Sequence, residues 1–148
     1  MAAVEPVENT IIDAIITKLG NVAELNYIKF DEVKLTIEDF QPHELPAVQL
    51  YDTNQIVTHS RGYKDVDWQI ALEIIMRGDT TGVVDQKALL DLRRKVELAL
   101  WDEPNLGIPE VKHLRYQGNV TDLHLLAPHY IARIDFVVMY RDTLTGSC

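Results

Sequence analysis

From Asp67 to Arg77 the chain alternates. Trp68, Ile70, Leu72, Ile74 and Met76 fall on one side of an extended backbone, and Asp67, Gln69, Glu73 and Arg77 fall on the other. A period of two identifies a strand with one face turned to a core. At about 3.3 Å per residue, the stretch from Val66 to Met76 would measure roughly 36 Å. A globule of this chain's length is only about 38 Å across by the usual scaling of radius with length. A second run, His129 to Arg141, repeats the pattern with Tyr130, Ala132, Ile134, Phe136, Val138 and Tyr140 on one side. Two strands that span or overreach the domain leave few ways to arrange the rest.

Ile11, Ile12, Ile15, Ile16 and Leu19 recur at helical spacing and predict a helix from about Pro6 to Leu19, which Gly20-Asn21 stops. Val33, Leu35 and Ile37 alternate with Lys34, Thr36 and Glu38, as in a short strand, and Ala47 to Tyr51 reads as another. A polar connection from Asp52 to about Lys64 reads as a loop or splayed hairpin. Gly78 to Gly82 is a turn, and Asp85 is placed to cap a helix over Gln86 to Trp101 with Leu89, Leu92, Val96 and Leu100 as its buried stripe. Pro104, Gly107 and Pro109 make a loop, Val111 to Gln117 a strand, and Gly118-Asn119 a turn.

Strands grouped on either side of a helix, joined by connections too short for repeated parallel crossovers, predict an α+β fold. It is an antiparallel sheet of four to five strands with two helices packed on one face, in a single domain over 1–148. The other face carries Ala71, Ile75, Ile131, Val137 and Met139 among Glu73, Arg133 and Asp135. A half-apolar face with no helix left to cover it reads as a subunit interface. The alternative is that Asn21 to Glu44 folds across it.

The formal charge of −9 argues against general affinity for nucleic acid, and the acidity is uneven: residues 1–60 carry ten acids and three bases. That front half reads as a solvated surface, or as a face that repels DNA or meets a basic partner. No apolar run approaches the roughly 18 residues of a membrane span, and the first residues lack the regions of a signal peptide, so the chain is expected to be cytosolic where it is made. The lone cysteine, Cys148, offers no internal disulfide. His43, His59, His113, His124 and His129 form no metal-ligand spacing. The glycines at 78 and 82 lack the following Lys-Ser or Lys-Thr of a phosphate loop, and Ser60, Ser147 and Cys148 have no nucleophile elbow around them. Asp65 and Asp67 read as solvated carboxylates, and Trp68 and Trp101 as packing residues. No enzyme and no cofactor is expected.

Leu45-Pro46-Ala47-Val48, the run from Trp68 to Ile74, the helix from Asp91-Leu92 to Ala99-Leu100, Leu106-Gly107-Ile108, and the closing run from Ala132 to Arg141 together resemble the tail terminator proteins of long-tailed bacteriophages. The resemblance covers most of the chain. It implies a virion protein of the tail, assembled in the host cytoplasm as a homo-oligomeric ring, usually a hexamer. Such a ring caps the tail tube protein, ends its polymerisation and meets the neck or head-completion protein, while DNA passes through without specific binding. It implies no membrane and no catalytic residue. Contacts with tube or neck are then expected at His59, Arg61, Tyr63 and Lys64 and from Arg141 onward, where the surface is exposed and locally basic. A head-completion or neck adaptor ring, and a small oligomeric α+β enzyme with its site between subunits, are the competing readings.

Overall fold

A computed structural model describes residues 6–30, 44, 46–77, 83–122 and 129–143. The elements run α1 (Val7–Leu19), β1 (Tyr27–Phe30), β2 (Ala47–Ser60), β3 (Tyr63–Arg77), α2 (Val83–Leu100), β4 (Val111–Asp122) and β5 (His129–Thr143). The strands form one five-stranded sheet in the order β1-β2-β3-β5-β4. The α+β class is as predicted, with one departure: β1 runs parallel to β2, and every other pair is antiparallel. Four residues are too few for alternation to mark a strand, so β1 left no pattern in the sequence. The strand expected at Val33 to Ile37 and the turn at Gly78 to Gly82 lie outside the described residues.

The α2 stripe is the predicted one, and of the five residues expected in the α1 stripe Ile12 and Ile16 are only half-buried. Ile11, Ile15 and Leu19 of α1 and Leu89, Leu92, Val96 and Leu100 of α2 are all less than 5 % exposed. Both helices pack on the sheet face made by Val48, Leu50, Ile70, Leu72, Ile74, Ile134, Phe136 and Val138. Each such side chain stabilises the fold by roughly 1.5–3 kcal/mol through removal of apolar surface from water. Pro6 precedes α1 as its cap residue, one position earlier than expected, and its carbonyl accepts from Asn9 N–H at 3.0 Å. Helix α2 starts at Val83, which puts Asp85 inside the first turn and not at the cap.

Two long-range polar contacts fasten α1. The Tyr140 hydroxyl, from β5, donates to Glu8 Oε1 at 2.7 Å. At the other end Lys18 Nζ lies 3.2 Å from Glu103 Oε1 and 3.8 Å from Asp102 Oδ2, just beyond α2. Trp68 is 3 % exposed, between Phe30 and Tyr140 at ring separations of 5.8 and 6.3 Å. Trp101 donates through Nε1 to the Leu114 carbonyl at 3.1 Å and meets the Phe136 ring edge-on. Both tryptophans are packing residues, as the sequence implied.

Strand β3 pairs with β5 over the whole length of both strands, Tyr63↔Thr143 to Arg77↔His129. At about 3.3 Å per residue each is on the order of 50 Å long, so the pair overreaches the core. Of the two readings for Asp52 to Lys64, a loop or a splayed hairpin, the structure shows a hairpin, and a tightly paired one. Strand β2 continues to Ser60 and turns tightly into β3 through Arg61-Gly62, with Gly62 at φ +83°, a left-handed backbone that favours a residue without a Cβ. One extra residue, Thr53, bulges out of β2, and its hydroxyl donates to the Gln69 carbonyl at 3.2 Å. The predicted turn at Gly118-Asn119 is likewise strand: β4 passes through it with a register shift between Tyr116 and Gly118.

Candidate functional site

Two surfaces contain the residues singled out from the sequence. The first is the sheet face opposite the helices. The register places Ala47, Ile75 and Ile131 in one row across it, then Gln49, Glu73 and Arg133, then Tyr51, Ala71 and Asp135, then Asn54, Gln69 and Val137, then Ile56, Asp67 and Met139. All five candidate interface residues therefore share this face. Ala71, Ile75 and Val137 are its floor, at 0, 1 and 0 % exposure. Ile131 and Met139 are half-buried. Among the described residues no helix packs on this side, and Ala47 and Ile75 form a small apolar cluster with Tyr27 and Ile131.

Polar chains stand above that floor. Arg133 donates from Nε to Asp135 Oδ1 at 2.9 Å, and its guanidinium carbon lies 5.8 Å from the centre of the Tyr51 ring. Gln49, 4 % exposed, reaches Glu73 Oε1 at 3.5 Å, the limit for a hydrogen bond. Burial, and then the Glu73 charge, push the Tyr51 phenol above its ordinary pKa. A partner meeting this face would touch Ile131, Met139, Tyr51 and the Arg133–Asp135 pair.

The second surface is the far end of the β2–β3 hairpin with the end of β5. Register brings His59 opposite Lys64, Lys64 opposite Asp142, and Asp65 opposite Arg141. The five candidate contact residues, His59, Arg61, Tyr63, Lys64 and Arg141, thus converge on one end of the sheet. Arg141 grips Asp65 with both branches, Nε to Oδ1 at 2.8 Å and a terminal nitrogen to Oδ2 at 3.2 Å, while its guanidinium carbon stacks 3.9 Å from the Tyr63 ring centre. Lys112, from β4, adds its charge 3.4 Å from Asp65 Oδ1, and Lys64 stands 3.9 Å from Asp142. The Arg141 hydrogen bond, with the two cationic charges, holds the Asp65 carboxyl below the usual aspartate range. Lys64 and Arg141 are therefore partly neutralised. His59 and Arg61 form no ion pair among the described residues.

Sequence reasoning treated Asp65 as a solvated carboxylate and overlooked Tyr51 and Lys112. The contacts that matter cross three strands, and no local spacing could have shown them. His59 and His113 stand on β2 and β4 with two strands between them, and among the described residues no group of three His, Cys, Asp or Glu could hold a metal. The side chains of His43, His124 and His129, and all of Ser147 and Cys148, lie outside the described residues. A shallow groove of about 230 Å³ runs beside α2, lined by Arg94, Glu97, Leu98, Trp101 and Tyr116. It brings together no nucleophile and base.

Against known proteins, the sequence matches no family and no curated protein. The fold does find a counterpart. A chain from a solved structure titled "Virion of native gene transfer agent (GTA) particle" superposes with a TM-score of 0.51 over 88 % of this chain and 94 % of that one, at 9 % identity. At that identity the likeness is one of fold, carried by two chains of nearly the same extent.

Proposed function

We propose that this chain is a structural subunit of a virion, and specifically a tail-terminator-like protein. In this reading it assembles as a ring, with six copies as the expected number. The ring caps the tail tube, ends its polymerisation and provides the joint to the neck or head. The observation that carries the reading is the fold shared with a virion chain over almost the full extent of both.

Three features support it. The face bearing Ala71, Ile75, Ile131, Val137 and Met139 has no helix over it among the described residues, which suits a contact between neighbouring subunits. The residues expected to touch tube or neck are gathered at one end of the sheet, so a single docking event could engage them all. The negative charge suits a channel through which DNA slides without sticking, since like charge opposes adsorption of the duplex. Glu24 is already paired with the Lys95 cation, so that repulsion would fall to the other acids of the front half.

Negative-stain microscopy of the purified protein tests the reading. A ring with a channel wide enough for duplex DNA is expected. A strict monomer at all concentrations and in the presence of tail tubes would overturn it. Co-purification separates the terminator from the neck adaptor: the former travels with tails, the latter with heads.

A further inference from the structure

The outer side of β2 is occupied along only part of its length. Strand β1 pairs with Ala47, Val48, Gln49 and Leu50, and beyond Leu50 no described strand lies against it. From there to the turn β2 forms the bare outer arm of the sheet, and its residues 52–59 are all exposed. Ile56 and Val57, on opposite faces of the arm, are 51 and 49 % exposed. An edge of this kind presents a row of unpaired N–H and C=O groups, which proteins usually guard with lysine, proline or a covering loop. Residues 51–60 contain no Lys, Arg, Glu or Pro, and Asp52 is their one formal charge.

The opposite edge of the sheet is guarded. At the middle of β4, Leu114 N–H donates to the Pro104 carbonyl at 2.9 Å and Leu114 C=O accepts from Trp101 Nε1 at 3.1 Å. Along the outer side of the β2 arm, by contrast, no strand and no backbone hydrogen bond from another segment is found among the described residues beyond Leu50. We propose that this arm pairs antiparallel with the same edge of a second copy of this chain. Antiparallel pairing sets the base of one arm, with Asp52, beside the tip of the other, with Arg61 and His59, whereas parallel pairing would set Asp52 against Asp52. It also centres the contact on Ile56 and Val57, burying β-branched side chains on both faces. Such a two-fold contact joins copies that face opposite ways, so it is distinct from the head-to-tail contact that closes a ring and does not rest on the ring reading.

The test uses the full chain with Cys148→Ser and one new thiol, Ile56→Cys or Val57→Cys, and Asp13→Cys on the exposed face of α1 as control. Opposed residues of antiparallel strands lie about 4.5–5.5 Å apart at Cα, a span that a disulfide bridges. Mild oxidation at micromolar concentration should make the covalent dimer the main product of at least one arm variant and a trace product of the control. The double variant Ile56→Lys with Val57→Lys, shown by circular dichroism to be folded, should lose the dimer seen by light scattering. The pairing is overturned by a strict monomer, by crosslinking no faster on the arm than at position 13, or by a dimer indifferent to the lysines. Arm amides as protected from exchange at high dilution as at high concentration would also overturn it, because the edge would then be closed within one chain.

Discussion

The Tyr140 hydroxyl donates to a carboxylate from inside the core, and burial followed by the Glu8 bond and charge raises its pKa far above the ordinary phenol range. Removing that hydroxyl in Tyr140→Phe should destabilise the fold by about 1.5 kcal/mol, the value of a hydrogen bond to a charged group, measured by urea unfolding. Glu8→Gln, which keeps an acceptor, should lose less. Asp65 gives a prediction of opposite character, because its pairing is electrostatic and exposed to solvent. Its pKa in the fold is depressed by Arg141, so its contribution is present above the ordinary aspartate value of about 4 and fades as pH falls through the lowered value. Glu24, bonded to Lys95 at 2.7 Å, behaves in the same sense. Asp65→Asn should therefore flatten the fall in urea midpoint between about pH 5 and about pH 2, and an unchanged slope would show that Arg141 finds another partner.

At the scale of elements, the turn end of the β2–β3 hairpin lies beyond the core. Gly62→Val places a β-branched residue at a left-handed φ, at a cost of about 1–2 kcal/mol, and its effect should be local. Hydrogen exchange should quicken for the amides near Ser60 and Tyr63 and stay unchanged at Leu72 and Phe136. The arm also shows where sequence reading stops. Strands β3 and β5 and both helix stripes were legible because each sets an almost wholly apolar face against one that carries polar and charged residues, so hydrophobicity records the period. Residues 52–59 are wet on both faces and record none; Thr58, Ile56 and Val57 carried β propensity, and the turn at Gly62 was the remaining cue. Gly118 misled in the other direction, since a glycine in a strand reads as a turn unless a bulge is expected. The candidate surfaces were legible as sets of residues on a face, but their ion pairs were not, because Asp65, Lys112 and Arg141 belong to three different strands.

Considered whole, the molecule offers one end rich in paired charges and one sheet face of mixed character. Reversing two charges in Arg61→Glu with Lys64→Glu should leave the fold intact, since both lie outside the core, and should impair joining of tails to heads in a reconstituted assembly. Normal joining would remove that end of the sheet from the proposed contacts. The position of β5 has a further consequence, for the order in which the protein becomes competent. It is the last described strand to be synthesised, yet it lies between β3 and β4. Until it emerges from the ribosome, β4 has no neighbour, β3 has one bare side, and Glu8 lacks the tyrosine that fastens α1. Both candidate surfaces draw on β5 as well, through Arg133, Val137 and Met139 on the face and Arg141 at the tip. Before β5 emerges both surfaces are therefore incomplete, and this one strand supplies the missing part of each.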